Sequence, residues 1–407
     1  MTTTTSPLDR RYDLDWIRVG AFFLLILYHV GMFYVPWDWH VKSPRPVEAL
    51  EPLMQLTNPW RLTLLFLVSG AATRFMADKV SVGKLTGARI ARLLPPLVFA
   101  MFVIVPPQSY YQVIEYAAAH PGWLTGFDSY GGFWAKYATA SGQWCGPDEG
   151  KCLVTPTWNH MWFVAYLLVY SLILALMLAV MPRLGAKLQA GLERMLKGPW
   201  LLIWPIVFLA VTRMFLMPLF EISHALTDDW YNHAVSFGAF LLGFGLAKSE
   251  VLRERLIGVR WTAVALAFVC WAAWATYAWH YRADDANPPE PLRLFMRCVY
   301  STDQWCAIVA ILGFGAKHLN RAAPSLRYLT LAVFPFYIVH QTLIVVLAYH
   351  LARLNLPQGL EATILIAATF AGCFATYEIV RRIPVVCWLF GLKSQPRVEA
   401  SRPPVVA

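Results

Sequence analysis

Charge is scarce in this sequence. Of its 407 residues only 14% are Asp, Glu, Lys or Arg, while 58% are hydrophobic. Soluble domains average about 25% charged and about 45–50% apolar residues. So few charges cannot coat a soluble globule of this length, and a mean hydropathy of +0.49 places the chain among membrane proteins. Nucleotide-binding glycines are missing as well, with neither a Walker A pattern nor a Rossmann fingerprint present. No two histidines stand at i, i+4 and none has a glutamate partner at ligand spacing, so no metal site is expected. Cysteines number seven and are scattered; only Cys145 and Cys152, in CGPDEGKC, lie close together. The other five read as small buried apolar residues. There is no internal repeat and no separable soluble domain. The polar start MTTTTSPLDRRYD lacks a short apolar core before a small-residue cleavage site, which predicts that no leader is removed.

What the sequence has in abundance is apolar runs. A membrane span needs about 20 mostly apolar residues. Such runs fall near 16–34, 60–76, 93–113, 158–181, 200–220, 232–247, 261–280, 300–316, 329–351 and 360–380. The predicted fold class is all-α: a polytopic integral membrane protein of about ten transmembrane helices lying in a lipid bilayer. With the N-terminus in the cytoplasm, cytoplasmic segments hold about 23 of the 34 Lys and Arg, the opposite side about 9, and two lie within helices. That asymmetry predicts an even number of spans with both termini cytoplasmic. The net charge of +10 is therefore read as topology, with no nucleic-acid partner, because the basic residues are dispersed among short loops. One transmembrane domain is expected over 1–395, and a disordered tail over 396–407. One connection, about 114–157 on the outer face, is long and rich in Gly, Trp and Tyr, and its aromatics predict order. Cys145 and Cys152 lie in it, where a disulfide and two free thiols are both open.

Ionisable residues inside the runs carry the functional signal. In LDWIRVGAFFLLILYHVG, residues 14–31, Arg18 and His29 are eleven residues apart. That is about three helical turns, so they share a face roughly 16 Å apart along the axis, with Phe22 and Leu25 between them. Asp15 is one turn before Arg18 and can pair with it. Arg18 near a helix end could simply reach the headgroups. A histidine at depth usually faces an interior path or cavity. His340, in FPFYIVHQ, lies at a similar depth, and His160, in TWNHMWFV, lies at the outer end of another run. His224 and His233 fall in or beside loops and are expected to be solvated. Arg89 and Arg92 form an R-x-x-R turn before LLPP; they suit either a positive-inside anchor or a polyanion such as a nucleotide phosphate. Arg213 sits well inside its run and needs a partner or a water path, with Asp303 as a candidate. Trp37, Trp39, Trp144, Trp158 and Trp162 fit an interfacial belt, or in part a flat platform for a sugar ring.

These residues resemble the membrane acyltransferase-3 family. The R-x10-H signature matches Arg18 and His29, and the R-x-x-R and R-x3-P features match Arg89, Arg92 and Pro96. Within the family the likeness leans toward members that succinylate periplasmic glucans. It rests on WHVKSPRP at Trp39, FLVSG at Phe66, HMWFV at His160, FYIVHQ at Phe336 and YEIVRRIPVVCWLFGLK at Tyr377. The CGPDEGKC insert departs from that pattern where an acceptor would dock, which bears on acceptor identity.

The resemblance implies an enzyme of the bacterial inner membrane that moves a succinyl or acetyl group from cytoplasmic acyl-CoA to a carbohydrate hydroxyl outside. No bound cofactor is implied; acyl-CoA is a co-substrate. Arg18, Arg89 and Arg92 would bind the donor. The pantetheine arm would run along the first helix to a catalytic group of His29, His340 and Asp15. His29 would be the general base, with His340 orienting it or stabilising the oxyanion. His160, Trp158, Trp162 and Arg213 would meet the acceptor or an anionic acyl group. An acyl-histidine intermediate at His29 is an alternative route. A transporter or flippase lined by the buried Arg and His is a different class. It would be signalled by paired interrupted helices in matched halves, which the sequence lacks.

Overall fold

In a computed structural model of the chain, residues 10–145, 152–283 and 285–392 are described. The expected tail at 396–407 and the residues between the two loop cysteines lie outside them. Each of the ten apolar runs is helical. In chain order the α-helices are α1 Tyr12–Tyr34, α2 Glu51–Thr57, α3 Arg61–Ala77, α4 Val82–Phe99, α5 Pro106–Ala119, α6 Tyr130–Ala138, α7 Trp162–Val180 and α8 Leu184–Met195. There follow α9 Trp200–Phe215, α10 Trp230–Leu246, α11 Glu250–His280, α12 Glu290–His318, α13 Pro324–Leu351, α14 Gln358–Val380 and α15 Pro384–Leu389. Among the described residues six helical segments are long and apolar enough to cross a bilayer, or seven if the bent pair α8–α9, turned by 107°, counts as one span. The runs in α3 and α10 are 17 residues each, about 25 Å of helix. α12 is long but carries Glu290, Arg293, Arg297, Asp303 and Lys317.

α1 lies inside the bundle, packed against α13, α12, α3 and α14. Asp13 and Asp15 occupy its first turn, where carboxylates favour the positive end of the helix dipole. At its other end the last carbonyls have no helical partner. Lys42 folds back and supplies one: its Nζ donates to Met32 O at 2.6 Å and also to Val35 O. Ser43 N and Val47 N reach Phe33 O and Tyr34 O at 3.0 and 2.7 Å. This cap turns the segment after Pro36 back over the end of α1 and lays Trp39 and His40 beside His29.

Two prolines shape the segment from α4 to α5. Pro95 and Pro96 sit inside α4, a single π-helical turn follows at Ala100–Ile104, and Pro106 opens α5. A proline has no N–H for the carbonyl four residues earlier, so Pro96 leaves Arg92 O without its helical donor. Gly391, at φ +65°, packs against that carbonyl; a Cβ there would stand 2.8 Å from Arg92 O. The R-x3-P pattern thus frees a carbonyl that the turn at Gly391 covers.

α3 and α10 cross backbone to backbone. A Cβ on Gly70 would lie 1.9 Å from Phe240 O, and one on Gly243 would lie 1.8 Å from Leu67 O. Only glycine allows that approach.

The long connection around α6 is ordered, as its aromatics predict, over its described residues 114–145 and 152–157. α5 extends into it, α6 lies within it, and Val113, Phe133, Tyr137 and Trp144 form a separate small core. Tyr137 Oη, with one hydrogen to share between Met101 O and Thr157 O, both at 2.9 Å, accepts from Thr157 N at 3.0 Å. Cys145 and Cys152 are joined as a disulfide. Of the other cysteines, Cys306, Cys373 and Cys387 are buried, while Cys270 and Cys298 are half-buried.

Candidate active site

His29 and His340 touch. His29 Nδ1 and His340 Nε2 are 2.9 Å apart. On the far side of its ring, His340 Nδ1 is 2.7 Å from Tyr337 O. A carbonyl oxygen only accepts, so His340 Nδ1 carries the hydrogen. In the neutral ring its Nε2 is then an acceptor, and His29 Nδ1 must donate to it. That leaves the lone pair of His29 on Nε2, which has no protein partner among the described residues. The chain from Tyr337 O through two imidazoles therefore selects one tautomer of His29. His340 is fully buried.

The His29 ring faces a cavity of about 490 Å³. Trp39 lies nearly parallel to His29, with centroids 6.4 Å apart and planes at 12°. Trp158, Trp162, His160 and Gln341 line the same space. Three of the acceptor residues named from sequence, His160, Trp158 and Trp162, all at the entry to α7, are thus brought to His29 on α1. His160 is already satisfied: Nε2 faces Tyr337 O and Ile338 O at 3.1 Å, and Nδ1 accepts from Gln108 Nε2 at 3.3 Å. It holds α7 against α13.

The structure adds residues that the sequence reading passed over. Gln341 Nε2 donates to His40 Nε2 at 2.8 Å and to Gln108 Oε1 at 3.1 Å. His40 donates through Nδ1 to Gln112 Oε1 at 2.8 Å. Burial holds the His40 pKa below its ordinary value, which suits a ring that accepts at Nε2. FYIVHQ does contain Gln341 beside His340, but the glutamines of α5 carry no spacing signal. Arg61, at the start of α3, also lines the cavity. Its guanidinium lies 3.3 Å over the Tyr28 ring and donates to Asn58 Oδ1 at 2.9 Å.

Several expectations change. His224 is not simply solvated: it stacks on Trp162 with centroids 4.1 Å apart and lines the cavity. Burial lowers its pKa. His233 bonds Tyr170 Oη at 2.9 Å and Leu226 O at 2.7 Å, because α10 carries it against α7. Arg213 does not pair with Asp303. Its Nη1 donates to Tyr231 Oη at 2.7 Å and its guanidinium lies 3.4 Å over the Tyr300 ring; α12 puts Tyr300, one turn before Asp303, at that place. The carboxyl of Asp303 is buried, and its Oδ2 has no hydrogen-bond partner among the described residues. Arg213 is not among the residues lining the His29 cavity. Of the other tryptophans, Trp37 donates to Glu51 Oε2 at 3.2 Å, and Trp144 packs on Phe133 at 4.9 Å.

A second cavity, about 370 Å³, opens at the N-terminal end of α1 and is lined by Arg10, Arg11, Asp15, Arg18 and Lys79 among others. Asp15 accepts from Arg10 at 2.9 Å and Arg18 at 3.2 Å. It lies fourteen residues before His29, roughly 21 Å along the helix, so it stands with the arginines and not with the histidines it was grouped with. Arg92 is an electrostatic neighbour of Arg18, and Arg89 of Arg92. Arg89 donates to Thr73 Oγ1 at 2.5 Å, and Arg92 lies 5.9 Å from the Phe334 ring centre. The three arginines named from sequence thus form one cluster. Between it and His29 the face of α1 is packed, with Phe22 edge-on to Tyr337 at 5.5 Å. Among the described residues no group of three or more His, Cys, Asp or Glu is arranged to hold a metal ion.

An imidazole pair with a free nitrogen at one end of α1, and at its other end Arg18 with Arg89 and Arg92 of α4, give a helical membrane protein two polar sites along one buried helix. Comparison with known proteins makes this specific. The family model described as an acyltransferase domain matches residues 11–378, and the chain belongs to that family, the acyltransferase-3 family. It is therefore a multi-pass membrane protein of an acyl-transferring enzyme family. Among curated relatives it is similar to the glucans biosynthesis protein C of Escherichia coli O1:K1, of strain SMS-3-5 and of O157:H7 strain EC4115. Each is 27% identical over 128 residues, 30% of this chain and 32% of the relative. The match thus spans about a third of the length of those relatives. No solved structure matches the chain.

Proposed function

We infer that the protein is a membrane O-acyltransferase. It takes a succinyl or acetyl group from cytoplasmic acyl-CoA and places it on a hydroxyl of an extracytoplasmic carbohydrate such as a glucan. In this reading the ten helical runs all cross a bacterial inner membrane, with both termini in the cytoplasm. The observation that carries the reading is the tautomer of His29: Nδ1 is committed to His340, and Nε2 faces a cavity walled by Trp39, Trp158 and Trp162. His29 Nε2 accepts the proton of the acceptor hydroxyl as its oxygen bonds to the thioester carbonyl carbon. The carbon–sulfur bond then breaks, and the proton passes to the departing thiolate, giving an ester and free CoA. His340 does not face the ligand; it is a positioning residue. Flat indole faces with polar neighbours suit a sugar ring.

At the other end of α1, Arg18, Arg89 and Arg92 suit the phosphates of CoA. Asp15 orients Arg18. For the pantetheine arm to reach His29, the Phe22–Tyr337 contact must open. The test uses purified protein in vesicles, with acetyl-CoA or succinyl-CoA on the arginine side, a β-glucan mixture on the other, and free CoA as the readout. Acceptor-dependent release lost in a folded His29→Ala protein supports the reading. Release that survives removes His29 as the base. No release with any donor and acceptor turns the interpretation to a transporter or flippase.

A further inference from the structure

Three arginines of the interior are about equally hidden, at 7% exposure: Arg61, Arg74 and Arg213. Two have an evident place. Arg74 pairs with Asp78 at 3.0 Å, and Arg213 is held by Tyr231 and Tyr300. Arg61 differs. It fronts the His29 cavity, has no carboxylate partner among the described residues, and its Nε is buried without a hydrogen bond. Among the described residues its guanidinium meets Asn58 Oδ1 and Tyr28, and neither brings a counter-charge. The Tyr28 face beneath it delocalises some charge but does not cancel it. A buried cation left uncompensated is costly, and a ligand that brings the counter-charge recovers that cost.

A sugar hydroxyl brings no charge. A carboxylate does, and its two oxygens match the guanidinium fork. Arg61 is an electrostatic neighbour of His29, and Tyr28 beneath it is the residue just before His29 on α1. The anion therefore belongs a few bonds from the reacting carbonyl. We propose that Arg61 is the specificity-determining residue of the cavity and binds the free carboxylate of a dicarboxylic acyl group such as succinyl. Arg213, assigned that part from sequence, is walled off by Tyr231 and Tyr300.

The proposal rests on the acyl-transfer reading, and its test separates the two. The first arm needs no turnover. Quenching of the cavity tryptophans by methyl succinate and by neutral dimethyl succinate is titrated in nanodiscs, for the native protein and for Arg61→Gln and Arg61→Lys. A charge-assisted pair predicts that the native protein binds the anion at least about tenfold more tightly than the diester. Arg61→Gln loses the preference while still binding the diester, which also reports an intact cavity; Arg61→Lys keeps part of it. No preference in the native protein, binding of neither ligand, or a preference that survives Arg61→Gln overturns the proposal. The native comparison stands even if both variants fail to fold. The second arm compares succinyl-CoA with acetyl-CoA against one acceptor. The expected result is a tenfold or larger advantage for succinyl in kcat/KM, lost in Arg61→Gln. An equal loss for both donors would make Arg61 an oxyanion group and overturn the assignment. If no donor releases CoA, the acyl-transfer reading fails, and the binding arm alone decides whether the cavity holds an anion.

Discussion

Replacing His340 with leucine tests the tautomer argument at its centre. The imidazole of His340 is fully buried, is not among the residues lining the cavity, and meets His29 at 2.9 Å. Leucine fills similar space but removes the acceptor for His29 Nδ1–H. A buried donor left unmade costs about 1–3 kcal/mol. The His29 ring escapes that cost by moving its proton to Nε2, and in that form it can no longer take a proton from the acceptor. The base-competent fraction, and with it kcat, should fall by about 5- to 150-fold at about 1.4 kcal/mol per decade. KM should change little, because no ligand contact is lost. His340→Gln offers an amide oxygen near the place of Nε2 and should recover part of the rate. The assay is acceptor-dependent CoA release in vesicles, with thermal melting to show that the variants fold. Full activity in His340→Leu would refute the relay. So would a glutamine variant as impaired as the leucine one with a raised KM, since that pattern means direct ligand contact.

Other consequences follow from single contacts. Gly70→Ala and Gly243→Ala each place a methyl inside 2 Å of a carbonyl on the facing helix. Separating α3 and α10 should cost about 1–3 kcal/mol or more, seen as a lower melting temperature; a variant melting like the native protein would contradict the crossing. Arg89→Gln and Arg92→Gln should each raise KM for acyl-CoA about tenfold with a smaller change in kcat, as expected when a phosphate contact goes; unchanged KM in both removes them from the donor site. Lys42 lies in the segment after α1, and burial lowers its pKa from 10.5 to about 8, with Asp38 and Glu115 opposing the shift. Its labelling by an amine reagent should be half-maximal near pH 8, against about 10.4 for exposed lysines. The sign for stability follows: between the folded and unfolded pKa values the unfolded chain binds more protons, so this lysine adds stability as pH rises from about 8 to 10.5. Below that window its contribution is flat. A labelling midpoint above 10 would show that the amine is solvated.

The helices were legible because apolar runs and charge scarcity are one-dimensional signals. All ten runs are helical, and the Arg18–His29 spacing places both on α1 as eleven residues of helix require. The family was legible for the same reason, since R-x10-H and its companions are local patterns. Partner choice was not. His29 and His340 are 311 positions apart, and no spacing rule links them. His224 and His233 read as loop residues because the stacking of α7 and α10 around them is a tertiary event. Arg61 looked like one more basic residue at a helix start; its burial without a counter-ion at the wall of the His29 cavity marks it out. Arg213 and Asp303 were matched by depth alone, and the rotation of α12, which presents Tyr300 instead, is set by packing.

By itself, then, the amino-acid order determined an all-helical membrane chain, its acyl-transferring family, and the two ends of α1 where chemistry is concentrated. Those are matters of composition and of periodicity along one helix. The tertiary structure alone decided which nitrogen of His29 is free, which aromatic faces surround it, and which arginine fronts the cavity uncompensated. A hydrogen bond or a missing counter-charge depends on distances of a few ångströms between residues far apart in the chain, and only the packed bundle sets those distances.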